Sequence, residues 1–271
     1  MLKRSLTALA LLLVGMPTVI FGGPLFFVLI AVFLSGAAWE YTQMFKAVGY
    51  DANEFLTVGG VFLILAARDF APDLAIPVLV ALLLIAMAVH LFAFERGRDQ
   101  AALDFGVTVG GLAYIGWLGA YLVDIRGLPD GGWYFMIVLP AVWLADTGAY
   151  SIGAAYGKHK MSPRLSPKKS WEGYAAGIFT ATIGGAFFVY AYQTFGYLPQ
   201  GMTLWQGALL GFILGVLTPL GDLGESMFKR QAHMKDSSNI FPGHGGFFDR
   251  LDSWIWAVAI GFYFIQWFVL S

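Results

Sequence analysis

The chain has 271 residues, 58% of them hydrophobic, and only 12% are Asp, Glu, Lys or Arg. A soluble globular domain carries about 25% charged residues, so a water-soluble enzyme, a disordered chain and a disulfide-rich secreted domain all fit poorly. Cysteine is absent, which excludes disulfides, zinc–thiolate sites and thiol nucleophiles, and 16 basic against 17 acidic residues leave no overall basic footprint for nucleic acid. Thirty-four glycines, 17% aromatics and a mean hydropathy of +0.70 suit membrane helices.

A helix that crosses the hydrocarbon core needs about 20 apolar residues. Ser5 to Trp39 carries no charge. A single helix of that length would run to about 52 Å, too long for one crossing. Pro17 and Gly22-Gly23-Pro24 divide it into spans near 6–21 and 25–44. Lys3-Arg4 ahead of an apolar run is also how a secretory signal begins. No small-x-small cleavage site follows, so the first helix is expected to be retained. Further spans are expected near 55–71, 75–94, 104–124 and 132–153. Gly173 to Gly221 is again free of charge, and its break at Leu198-Pro199-Gln200-Gly201 predicts spans near 174–194 and 203–222. Ser253 to Ser271 completes nine.

The expected fold is therefore all-α, a polytopic integral membrane helix bundle of about nine transmembrane helices. Residues 1–130 would hold about five spans. Residues 131–271 would form a catalytic region of about four, with loops at 154–173 and 223–252. In this arrangement Lys3, Arg4, Lys46, Arg96, Arg98, Lys158, Lys160, Arg164, Lys168, Lys169, Lys229, Arg230, Lys235 and Arg250 lie on one side, and Arg68 and Arg126 on the other. The positive-inside rule then puts the N-terminus in the cytoplasm.

Three segments carry charge where a membrane chain least tolerates it. Asp146 lies within the apolar run 132–153. A carboxylate at such depth is paired, metal-bound or in a wet cavity; the plainer reading is a helix-packing Asp bonded to Thr147. After it come Lys158, Lys160 and Ser166-Pro167-Lys168-Lys169-Ser170-Trp171-Glu172-Gly173. Ser166-Pro167 reads as a helix start, which would set Lys168 and Lys169 in a first turn where free N–H groups attract phosphate. The plain reading of this basic loop is a patch resting on anionic headgroups. In Gly221-Asp222-Leu223-Gly224-Glu225-Ser226, Asp222, Glu225 and Ser226 share one helix face, and Glu225 with Lys229 suits a surface ion pair. Glycines flank His244, and Asp249 and Asp252 begin the last span, where carboxylates also favour the helix dipole.

With nine spans these charges gather at one membrane face. Carboxylates beside Lys and Arg suit a divalent cation plus phosphate. No P-loop is present. A secondary transporter or channel would spread charge along a route across the membrane.

Ser226-x-x-Lys229-Arg230, Lys235-Asp236 and Pro242-x-His244-Gly245-Gly246-x-x-Asp249-Arg250-x-Asp252 together resemble the diagnostic motif of the phosphatidate cytidylyltransferase (CDP-diacylglycerol synthase) family. The segments from Asp146 to Tyr150 and from Ser166 to Gly173 are similar to that family too. The resemblance implies that CTP and phosphatidate give CDP-diacylglycerol and pyrophosphate, with Mg²⁺ and an additional K⁺, in a homodimeric enzyme. It implies a bacterial inner-membrane location with the site facing the cytoplasm. Under it, Asp222, Asp249, Lys169 and Asp146 are the catalytic candidates. Asp222 and Asp249 are the first metal ligands, with Glu225 and Asp252 behind them. Lys168, Lys169, Ser226, Lys229, Arg230, Lys235, His244 and Arg250 are the substrate-binding candidates. A related membrane transferase using CTP with another lipid would look similar.

Overall fold

The computed structural model describes residues 13–198, 201–241, 243 and 245–271. It is overwhelmingly helical, with one two-stranded sheet. Six helical stretches among the described residues are long and apolar enough to cross a membrane: Gly23–Ala47, Pro72–Glu95, Ala101–Gly127, Gly131–Tyr156, Trp171–Thr194 and Leu204–Gln231. They coincide with six of the expected spans. Helices also occupy Glu54–Phe70 and Phe248–Phe268, where two more were expected. Residues 13–21 are helical, but the start of the first expected span, with Lys3 and Arg4, lies outside the described residues. So do Pro199 and Gln200 of the predicted break and His244.

The chain divides into two compact units. One takes the described residues up to Asp124 together with Phe228–Leu251. Its helices are α1 (Gly23–Ala47), α2 (Glu54–Phe70), α3 (Ala75–Glu95) and α4 (Ala101–Gly111). The break before α1 falls where the sequence places it. Gly22 and Gly23 have φ of 65° and 58°, a left-handed backbone that a side chain resists, and Pro24 occupies the first turn. Leu34, Ala37, Ala38 and Met44 of α1 and Val61, Ile64 and Leu65 of α2 are wholly buried. Tyr41 donates to the Val107 carbonyl at 3.1 Å, tying α1 to α4. Its ring meets Phe45, Phe228 and Phe248 edge-on or tilted, at 4.8 to 6.3 Å. Apolar residues of α3 such as Leu84 and Phe92 remain exposed, as a lipid-facing helix requires.

Two ion pairs in this unit join distant segments or cap a helix start. Arg68, near the end of α2, is forked onto Asp124 and lies over the rings of Trp117 and Tyr121, 4.5 Å from each centroid. Asp104 at the start of α4 accepts from Arg98 Nε at 2.7 Å and from the Asp51 N–H at 2.8 Å. Between Gly111 and Gly119 the helix widens to i→i+5 turns over Leu112–Leu118.

The second unit comprises Ile125–Met227 and Asp252–Ser271. Within it lie α6 (Gly131–Tyr156), the antiparallel strands β1 (Lys160–Ser162) and β2 (Ser166–Ser170), α7 (Trp171–Thr194) and α8 (Leu204–Leu217). A short α5 (Tyr121–Gly127), α9 (Pro219–Gln231) and α10 (Phe248–Phe268) contribute residues to both units. Thr203 and Gln206 cap α8 reciprocally.

One expectation is overturned here. Ser166-Pro167 does not begin a helix: Ser166–Ser170 is β2, and α7 begins at Trp171. The cap is Ser170, whose hydroxyl accepts from the Gly173 N–H at 3.2 Å. A Pro is tolerated in a strand whose N–H side is unpaired. Glu172 also holds the second position, because its carboxylate takes the His159 N–H at 3.2 Å and the His159 ring at 2.6 Å. Lys168 and Lys169 therefore stand on a strand, and the helix-dipole argument for an anion beside them no longer applies.

Candidate active site

The second unit contains a cavity of about 600 Å³ lined by α6, the hairpin and α7, with Gly215, Pro219 and Asp222. That size is within the range of small-molecule sites. Its charged lining is Asp146 of α6, Lys160 of β1, Lys168 and Lys169 of β2 and Asp222 of α9. Lys169 Nζ reaches Asp222 Oδ2 at 2.6 Å. Ser226 is one turn further along α9 and donates to Asp222 Oδ1 at 3.4 Å, so the predicted shared face exists. The remaining wall is small and apolar, including Ala145, Ala149, Gly153 and Gly177. The walls stay close because side chains are absent: a Cβ at Gly173 would be 2.6 Å from the Ala149 carbonyl oxygen.

The bond from Thr147 that the plainer reading gave Asp146 is not made. The single hydroxyl proton of Thr147 goes to the Trp143 carbonyl at 2.7 Å, and Asp146 is exposed on the cavity wall. Nor is Glu225 half of a surface ion pair, since it is completely buried. Asp252, inside α10, has its Oδ1 accepting from the adjacent Ser253 N–H at 2.6 Å.

The first unit holds a second polar cluster. Asp249, in the first turn of α10, accepts from Lys229 Nζ at 2.7 Å through Oδ1. Its Oδ2 accepts from the Ser237 hydroxyl at 2.6 Å, the Ser237 N–H at 2.9 Å and the Gly246 N–H at 2.8 Å. Burial pushes its carboxyl up, but the Gly246 N–H, Lys229 and Ser237 outweigh burial and hold it at about 2. Behind it is a buried carboxylate outside the sequence motifs. Glu40 of α1 is 1% exposed and accepts from Ser237, Ser238 and the N–H groups of Phe247 and Phe248. The signal was available: an acid inside an apolar span.

Of the remaining candidates, Arg230 donates to the Met234 carbonyl at 3.3 Å and Lys235 is exposed. Arg250 keeps its Nε buried with no hydrogen-bond partner among the described residues, a donor suited to an anion. No group of three His, Asp or Glu among the described residues is disposed to hold a metal. The cavity donors do fit a cation bound as Mg²⁺ commonly is, through one or two carboxylates with water and substrate phosphate completing the shell. The carboxylates that line the cavity are Asp146 and Asp222. Asp249 has both oxygens engaged by protein donors and is less open to a metal.

The chain is similar to known proteins over nearly its whole length. A phosphatidate cytidylyltransferase of Staphylococcus saprophyticus is 30% identical over 260 residues, covering 95% of this chain and 96% of that protein. One from Staphylococcus aureus is 30% identical over 257 residues, with the same coverage. One from Mycobacterium bovis is 46% identical over 124 residues, 45% of this chain and 37% of that protein. Residues 2–268 match the model of the cytidylyltransferase family. The chain belongs to the cytidylyltransferase family.

Proposed function

We propose that this protein is a phosphatidate cytidylyltransferase, forming CDP-diacylglycerol and pyrophosphate from CTP and phosphatidate. The observation that carries the reading is one cavity with a charged Lys168, Lys169, Asp146 and Asp222 end and a small apolar wall, in a chain of this family. A lipid phosphate needs both surfaces.

In the reaction a phosphatidate oxygen attacks the α-phosphorus of CTP. A new P–O bond forms, the bond to the bridging oxygen of the β-phosphate breaks, and pyrophosphate leaves with that electron pair. The attacking phosphate is already an anion, so no strong base is required. The barrier falls through alignment and neutralisation of clustered negative charge. Lys168 and Lys169 bind phosphate oxygens, and Lys169 turns from Asp222 to substrate as it arrives. Asp146 orients a lysine or joins the cation. Arg250 offers its buried Nε to phosphate, and Ser226, Lys229, Arg230, Lys235 and His244 are proposed as further substrate contacts.

Mg²⁺ would be held by Asp222 and Asp146, and it supplies charge neutralisation of the phosphates. Asp249, Glu225 and Asp252 are retained as ligand candidates from the motif, and K⁺ as a second ion. We further infer nine spans, a cytoplasmic N-terminus, a cytoplasm-facing site in the bacterial inner membrane and a homodimer. The 14-to-2 division of basic residues and the match of helices to predicted spans support the topology. The catalytic motifs fall in residues 131–271, which we propose as the catalytic region.

The test is an assay of purified protein with labelled CTP and several lipids, with and without Mg²⁺. Label should enter lipid only with phosphatidate and Mg²⁺. Transfer to an isoprenoid-type phosphate or alcohol instead would assign the related transferase, and no transfer would refute the reading.

A further inference from the structure

We infer that Glu40 is a positioning residue for this reaction, tethering both ends of the 237–248 loop and thereby setting Asp249. The inference rests on the cytidylyl-transfer reading above. Glu40 is the one acid in the otherwise apolar stretch from Ser5 to Lys46, and it is 1% exposed. A carboxylate there is costly unless its acceptor sites are filled. All four face donors of one loop: Oε1 accepts from the Ser238 hydroxyl at 2.6 Å and the Phe247 N–H at 3.0 Å. Oε2 accepts from the Phe248 N–H at 2.8 Å and shares the single Ser237 hydroxyl proton, its oxygen 2.8 Å away, with Asp249 Oδ2.

The two serines enter the loop and the two phenylalanines leave it. Between them lie His244 and the Gly245-Gly246 pair, and directly after them Asp249 and Arg250. Ser237 also bonds Asp249 through its hydroxyl and its N–H. Glu40 thus reaches the motif carboxylate through a single intervening residue. The two glycines let the loop approach both carboxylates closely. A Cβ on Gly246 would land on the Glu40 carboxylate, and one on Gly245, whose φ is +76°, would be 2.7 Å from Asp249 Cγ. Phe33 packs against Phe241 and Phe247 from the same helix α1, closing the loop on its apolar side.

A carboxylate serves this geometry where a neutral amide does not. Gln keeps one acceptor oxygen and replaces the other with an NH₂ group, which faces a backbone N–H donor. Glu40→Gln should therefore loosen the loop without removing its apolar packing. Displacement of a reacting group by about 1 Å costs up to roughly 100-fold in rate. We expect kcat to fall roughly 10- to 100-fold in Glu40→Gln, with KM for CTP changed by less than about threefold. Glu40→Asp keeps the charge and should recover part of that loss.

The experiment measures kcat and KM with CTP and phosphatidate, together with hydrogen exchange at residues 247 and 248, in wild type, Glu40→Gln, Glu40→Asp and Ser238→Ala. Ser238→Ala removes a single donor and guards against a Glu40 variant that fails to fold. Supporting results are faster exchange at 247–248 and a kcat loss per folded molecule ordered Gln beyond Asp, with Ser238→Ala showing a smaller loss in the same direction. Normal kcat with unchanged exchange, or a loss that vanishes per folded molecule in every variant, would overturn the inference. Wild type inactive with these substrates would instead refute the assigned reaction, while the exchange data would still decide the tether.

Discussion

Lys169→Ala separates a substrate contact from a structural one. Lys169 and Asp222 are 25% and 33% exposed in their ion pair. A pair that wet contributes about 0.5–1 kcal/mol to stability. For a chain of this size each kcal/mol is about 2–4 °C in Tm, so the variant should lose at most about 4 °C. Asp222 remains open to water in the cavity, so no buried orphan charge is created. A charge-assisted bond to a substrate phosphate contributes about 1.5–3 kcal/mol. Its loss corresponds to roughly 10- to 100-fold in kcat/KM. Turnover of labelled CTP and thermal unfolding of the same preparation measure the two effects together. The reasoning fails if kcat/KM is unchanged, or if Tm drops by more than about 10 °C while activity per folded molecule stays normal.

Asp222→Asn should abolish nearly all Mg²⁺-dependent turnover while the folded protein still purifies; normal turnover would remove Asp222 from the metal assignment. Asp249, held at about 2, lies below its unfolded value near 3.9. Its contribution of about 2 kcal/mol is therefore present above pH 4 and lost as pH falls toward 2. Tm should decline through that window in wild type and decline less in Asp249→Asn; parallel curves would contradict the shift. Gly221→Ala should destabilise by about 1–3 kcal/mol, because its Cβ would land on the Asp252 carbonyl oxygen and stand 2.7 Å from Trp256 Cδ1; an unaltered Tm would mean that α9 and α10 separate easily. A reporter fused after Ser271 should read outside the cell, and a cytoplasmic signal would break the nine-span topology.

Much of the fold was legible because a bilayer reduces the problem to apolar length and its interruptions. The Gly22-Gly23-Pro24 break, the approximate limits of α6 and the start of α8 follow from that reading. Local polar choices were less legible. Ser166-Pro167 reads as a helix start, whereas Ser170 accepting from the Gly173 N–H and Glu172 accepting from His159 set the start at Trp171. Spacing along a helix likewise suggested Glu225 as the surface partner of Lys229, whereas Lys229 pairs with Asp249, 20 residues away in sequence.

By itself the sequence determined the membrane class, the placement of the apolar helices and, through the motif from Ser226 to Asp252, the family chemistry. Composition and short-range spacing carry those properties. The tertiary structure decided which charges meet. It joined Lys169 to Asp222 on a cavity wall and brought Glu40 to a loop 197 to 208 residues away. Hydrogen bonds between distant segments depend on how the helices pack, and no local pattern in the chain records that packing.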